Sequence, residues 1–202
     1  MSYTGPKAKL SRRLGIPLTP KAAKVMERKP YPPGQHGREE QYRRGRQSAY
    51  KQQLLEKQRL RAQYNIRERQ MRSYYREANQ KSGNTGENLI QILESRLDAV
   101  VLRGGLATTI YAARQYVNHG HIRVNGKKVD IPSYRVKPGD VVSVKDKSRR
   151  LQIFQHAIEQ AIPPKYLELS ADDMAITVNY LPQREEVPII CELSKVIEFY
   201  SR

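Results

Sequence analysis

Residues 112–129 read AARQYVNHGHIRVNGKKV. The first half sets Ala113, Tyr116 and Val117 on one face of a helix, with Ile110 just upstream. Gly120 can end that helix, because glycine takes a positive φ at little cost. Residues 121–124 follow as a short strand. Asn125-Gly126 is the strongest two-residue hairpin signal, and residues 127–130 return as its partner. The stretch carries Arg114, Gln115, Asn118, His119, His121, Arg123, Lys127 and Lys128. A helix joined to a hairpin, with basic and amide side chains on its open face, suits the shallow groove or the loops of folded RNA.

Working outward, residues 88–103 predict one helix, with Leu89, Ile92, Leu93, Leu97, Val100 and Val101 at helical spacing. Gly104-Gly105 stops it, and Thr108 or Thr109 caps the next helix. Two short helices at an angle resemble a helix-turn-helix. Downstream, Pro138-Gly139 makes a turn before an alternating strand, 141–144. A helix over 155–161, a break at Pro163-Pro164, a strand over 175–179, the PQREEVP connection and a terminal helix over 192–200 complete the chain.

Upstream, residues 47–81 predict two helices. The first, 47–63, turns Tyr50, Leu54 and Leu55 inward. Asn65 separates it from the second and can cap that one, with Glu68 completing a capping box. The second helix, 66–80, gathers Met71, Tyr74 and Tyr75 on one side and spreads Arg67, Arg69, Arg72 and Arg76 over the rest. SGNTG, 82–86, is a flexible joint. Residues 1–46 hold many Pro and Gly and little apolar periodicity, so they predict an extended basic arm, with a short helix only near 20–28.

The chain has 202 residues, 37 Lys+Arg against 20 Asp+Glu, and a net charge of +17. Residues 1–86 hold 21 basic and 6 acidic residues, whereas residues 151–202 hold 4 and 8. Such a surface attracts polyanions, and counterion release drives binding to nucleic acid. A membrane surface would want a basic helix with a continuous apolar face rich in Trp and Phe. This chain has no Trp and two Phe. No apolar run approaches the ~20 residues of a membrane span. The acidic tail fits a solvated face or a basic protein neighbour. The one cysteine, Cys191, excludes an internal disulfide and reads as a small buried hydrophobe. A reducing, cytoplasmic or organellar setting follows.

Catalysis has little support: there is no P-loop and no dinucleotide glycine fingerprint. His119 and His121 would share a strand face, but acids or thiols to complete a metal site are missing nearby. No metal and no cofactor are expected. Asp172-Asp173 is taken as a solvated turn or cap. The nucleic-acid contacts divide by chemistry. Arg96, Arg103 and Arg114 can fork onto phosphates. Gln115, Asn118, His119 and His121 can reach sugar hydroxyls or base edges. Arg123, Lys127 and Lys128 place charge along the hairpin. The helix start at Thr108 offers backbone N–H groups to an anion. Upstream, Lys51, Arg59, Arg69, Arg72 and Arg76 face backbone from the helices. Lys7, Lys9, Arg12, Arg13, His36, Arg43 and Arg44 do so along the arm.

Several of these stretches resemble the S-four family of small-subunit ribosomal proteins, in its bacterial or organellar, zinc-free form. They are YTGPKAKLSRRLG at the start, PPGQHG (32–37), EKQRLRAQYNIRERQMRSYY (56–75), GNTGENLIQILESRLDAVVLR (83–103), residues 112–134, and the closing ELSKVIEFYSR. The HGHI and VNGK core is shared with other RNA-binding modules, including those of pseudouridine synthases. PPGQHG and the flanking helices make the likeness specific.

The resemblance implies an α+β protein. After the 1–46 arm come a mostly helical domain, 47–86, completed by the terminal helix 187–202, and a helix-helix-hairpin RNA-binding domain, 87–186, with a small sheet. It further implies a structural part of the small ribosomal subunit with no catalysis. Its partners would be small-subunit ribosomal RNA, proteins S-five and S-three, and mRNA where it enters the subunit. Such a protein nucleates assembly and contributes to decoding accuracy. Many relatives hold zinc on four cysteines in the arm, which this chain lacks.

Two rivals fare worse. An RNA-modifying enzyme would need a catalytic domain of perhaps ~150 residues, for which no segment is left. A helix-turn-helix regulator of DNA would need a dimerisation element, and none is found.

Overall fold

Proline and glycine punctuate the first forty residues without keeping them extended. A computed structural model describes residues 3–42 and 48–202. The expected arm instead carries α1 (Lys7–Leu14), α2 (Pro20–Arg28) and α3 (Gly37–Tyr42). Pro6 precedes α1 as its N-cap, and Gly15 at φ 70° ends it. Thr19 caps α2 by accepting from the Ala22 N–H, with Pro20 in the first turn. The helices are short enough to fit between the breakers, and α1 packs on α2. Arg44 and Arg43 lie outside the described residues.

The chain divides into two units. One holds residues 1–75 and 189–202, the other 76–188. The division falls inside α5 (Glu68–Gln80).

In the first unit, α4 (Ala49–Gln63) pairs with α10 (Leu193–Tyr200). Asn65 takes φ 48° between α4 and α5, as the chain break there requires. The core gathers Leu14, Ile16, Leu60, Tyr64, Ile66, Met71, Tyr74 and Val196. The inward face of α4 differs from the expected one. Tyr50 is exposed and Leu54 and Leu55 are half-buried, while Gln53, Glu56, Lys57 and Leu60 are buried. The polar members of that face meet polar partners. Gln53 Nε2 donates to Glu198 at 2.8 Å, Glu56 accepts the Glu192 N–H at 3.0 Å, and Lys57 Nζ lies 2.9 Å from Glu68. Apolar periodicity cannot report a helix face satisfied by ion pairs and hydrogen bonds.

The second unit opens with α6 (Thr85–Glu94), capped by Asn84, whose side chain accepts from the Gly86 and Glu87 N–H groups. The single helix expected over 88–103 is two: α7 (Leu97–Arg103) starts anew after Ser95 and Arg96. The later chain intrudes at the break. The Leu97 N–H donates to the Tyr134 carbonyl, the Asp98 N–H to Pro132, and the Val136 N–H to Ser95. Arg96 and Arg135 form a β-bridge.

Thr109 caps α8 (Ile110–Asn118), and Gly120 follows at φ 69°. Then come β1 (Ile122–Val124), β2 (Lys127–Lys128), β3 (Val141–Val144), α9 (Gln152–Glu159), β4 (Leu167–Ser170) and β5 (Ala175–Val178). Asn125 and Gly126 both take positive φ, the geometry of a tight hairpin. The five strands form one antiparallel sheet in the order β2-β1-β3-β5-β4. Ile122 pairs with Val144, Val124 with Val142, and Val142 with Ile176, so one face is continuously apolar. Strand β4 was not expected from sequence, and α9 starts three residues earlier than expected. The helices together with this small sheet make the fold α+β.

Candidate RNA interface

The centre of the candidate surface is the joint between α8 and the β1–β2 hairpin. Ile110, Ala113 and Val117 are buried, which turns Gln115 and Asn118 to solvent. His119 follows, also exposed. Lys128 lies against the helix end: a Cβ on Gly120 would sit 2.6 Å from its Cε. The glycine therefore ends the helix and also leaves room for the lysine stem. Lys127 and Lys128 are both exposed on β2. Thr108 is exposed before α8, while its neighbour Thr109 makes the cap, accepting from the Ala112 N–H at 3.2 Å. Amide, imidazole and ammonium groups thus meet on one local surface.

His121 is set deeper. Its Nδ1 lies 2.9 Å from the Ser148 hydroxyl, and its ring meets Phe154 edge-on at 6.1 Å. Burial, then the nearby His119 and Lys145, lower its pKa, so it stays neutral more readily than an ordinary histidine. It serves to fix the loop from within, while His119 presents an open ring. Arg123 reaches Asp146 at 3.1 Å but stays partly exposed.

Two of the expected arginines are turned inward onto carboxylates. Arg96 is wholly buried, and its guanidinium fork is spent on Asp98: Nε to Oδ1 at 2.9 Å and Nη2 to Oδ2 at 2.5 Å. Arg103 turns to the buried Glu94 at 3.2 Å, which also accepts from the Tyr166 hydroxyl. Burial and the Glu94 carboxylate push the Tyr166 phenol far up, so it remains a hydrogen-bond donor. Arg114 differs from both. Its Nη1 is 3.8 Å from Asp98, yet its side chain is 29% exposed. Burial raises the pKa of Asp98, against the pull of Arg96 and Arg114.

In the first unit the expected residues also divide. Lys9, Arg13, Lys51, Arg69 and Arg72 are exposed, as is Arg76 at the start of the second unit. Arg12 and Arg59 instead hold the fold. Arg12 donates to the carbonyls of Tyr31 and Pro32, stacking its guanidinium 4.8 Å from the Tyr31 ring. Arg59 donates to the Leu14 carbonyl at 2.8 Å and to Glu56 at 2.6 Å. Lys7 folds back onto the Tyr3 carbonyl and ring. His36 is exposed beside Glu39.

One further basic group lies outside the expected set. The run KDKSRR, 145–150, follows β3 and sends the Lys145 N–H to the His121 carbonyl at 2.7 Å. That places the exposed Lys147 and Arg150 near the hairpin. Its four basic residues in six were signal enough to find it. Among the described residues, no group of three or more His, Cys, Asp or Glu is arranged to hold a metal. No helix among them is long and apolar enough to cross a membrane.

Comparison with known proteins gives this geometry its context. Residues 2–94 match the family described as Ribosomal protein S4/S9 N-terminal domain, and residues 95–142 match the S4 domain. The small ribosomal subunit protein uS4 of Streptomyces avermitilis is 52% identical over 202 residues, covering 98% of this chain and 97% of that protein. The uS4 of Micrococcus luteus is 53% identical over 198 residues, covering 95% and 94%. That of Thermobifida fusca is 50% identical over 206 residues, covering all of both. The chain belongs to the uS4 family. This is a family of ribosomal structural proteins and not of enzymes. The second match spans the helix break, α8 and the hairpin, so the joint described above lies in the family's S4 RNA-binding domain.

Proposed function

We propose that this chain is a structural component of the small ribosomal subunit that binds small-subunit ribosomal RNA directly, early in assembly. The observation that carries this role is the surface shared by α8 and the hairpin. Gln115, Asn118, His119, Lys127 and Lys128 are exposed there, with Arg114 partly so. Phosphate contacts from the lysines and from Arg69, Arg72 and Arg76 would supply affinity, while the amides and His119 would read sugars and unpaired bases. The net charge of +17 supports the electrostatic part. By holding RNA helices at fixed angles, the bound protein lowers the entropic cost for later components. On this reading the chain also neighbours S-five and S-three, lies near incoming mRNA, contributes to decoding accuracy and resides on cytoplasmic or organellar ribosomes; its likeness to uS4 proteins supports these points.

The test is filter binding of the purified chain to a transcript of the five-prime domain of a bacterial small-subunit ribosomal RNA. Excess duplex DNA is added at near-physiological salt. Specific retention is expected, and the double substitution Arg114→Ala with His119→Ala weakens it while the fold persists. Equal competition by duplex DNA would overturn the proposal.

A further inference from the structure

Three charged groups meet beside the break between α6 and α7. Arg96 and Asp98 are two residues apart, and on a continuous helix they would point to nearly opposite sides. Because the chain is extended at Arg96 (φ −68°, ψ 139°), its guanidinium turns back onto the Asp98 carboxylate. Both are wholly buried. The same carboxylate oxygen that receives Arg96 Nη2 also faces Arg114 Nη1 at 3.8 Å, from the neighbouring helix α8. Two guanidinium groups thus share one carboxylate oxygen. The only member of the three that reaches solvent is Arg114.

A lone buried Arg–Asp pair is weak evidence of stability, since apolar residues often replace one at no loss. A third charge on the same carboxylate needs another explanation. We propose that Asp98 is a positioning residue for RNA recognition: gripped by the Arg96 fork, it anchors Arg114 so that its guanidinium meets a phosphate in a fixed orientation. A guanidinium held in advance loses less side-chain freedom on binding than one swinging from the surface. The Arg96–Arg135 bridge and the hydrogen bonds from Leu97 and Asp98 to the 132–134 segment hold the dyad in place. This inference rests on the RNA-binding role proposed above.

The experiment is a double-mutant cycle read as affinity for the five-prime-domain transcript. In the unaltered chain, Arg114→Ala is expected to weaken binding about tenfold, the scale of one hydrogen bond to a charged group. Asp98→Asn should itself weaken binding while the chain stays folded, and Arg114→Ala should then add less than about threefold. Asn keeps the shape and an acceptor but leaves Arg96 without its counter-charge. A second background, Arg96→Met with Asp98→Asn, therefore removes both buried charges and serves if the single variant unfolds. Thermal unfolding checks each variant. A purely structural dyad would leave the Arg114→Ala factor the same in every folded background, and that result overturns the proposal. So does an Arg114→Ala chain that binds as tightly as the unaltered one. If the unaltered chain shows no preference for the transcript, the RNA-binding role fails too. Preference without coupling sinks only the positioning role.

Discussion

Arg59 and Arg72 carry the same head group and do different work. Arg59 is tied to the Leu14 carbonyl and to Glu56, so it joins α4 to the end of α1. Arg72 is exposed on α5. Arg59→Ala is expected to destabilise the chain by about 1–2 kcal/mol through the lost charged hydrogen bonds. It should leave the salt dependence of RNA binding nearly unchanged. Arg72→Ala should do the reverse, flattening the log–log salt slope by roughly 0.7–0.9 with little effect on stability. Urea unfolding and filter binding at several salt concentrations measure both; swapped outcomes would refute the division. A different constraint acts at Gly105. It sits at φ 86°, and an added Cβ would lie 2.2 Å from the Ala161 Cβ. Gly105→Ala should cost at least about 1 kcal/mol from the left-handed backbone alone. The steric contact adds to that. A thermal midpoint equal to that of the unaltered chain would show that the turn relaxes.

At the scale of elements, polar groups decide how α4, α5 and α10 meet. Glu68, on α5, lies 2.9 Å from Lys57 of α4 and accepts from the Tyr200 hydroxyl of α10 at 2.8 Å. Burial alone would raise its pKa. Hydrogen bonds from Lys57 and Tyr200, with the charges of Lys57 and Arg61, outweigh that and lower it. A carboxyl lowered in the folded state stabilises it above the ordinary value of about 4.3, and the gain is lost as pH falls through the folded value. Partial exposure holds the effect near ~0.5–1 kcal/mol. Glu68→Gln should therefore lower the urea midpoint at pH 7 and make little difference near pH 3. An equal deficit at both pH values would mean that shape, not charge, is what matters there. The same junction explains why apolar periodicity points to the wrong face of α4. Leu54 and Leu55 advertise an apolar stripe, but the buried positions are Gln53, Glu56 and Lys57, whose partners lie on other elements.

For the whole chain, local chemistry was legible and remote chemistry was not. Gly120, Asn125-Gly126 and Pro138-Gly139 act within a few residues, so α8, the hairpin and β3 stand where the sequence puts them. The break before α7 depends on the 132–136 segment, and with it the burial of Arg96. No local pattern signals that. Strand β4 is likewise visible only through its pairing with β5. The longest such dependence closes the first unit, where α10 returns from the far end of the chain to α4. Val196 is wholly buried, Glu198 and Glu192 meet Gln53 and Glu56, and Tyr200 reaches Glu68. A chain ended at Pro188 loses all four contacts. Its α4 amides should exchange with solvent at least about tenfold faster, since burial of one apolar side chain alone contributes about 1.5–3 kcal/mol. The amides of α7, packed within residues 76–188, should keep their protection. Equal acceleration in α4 and α7 would mean that the two units unfold as one. An unchanged α4 would mean that α10 only decorates a helix stable without it.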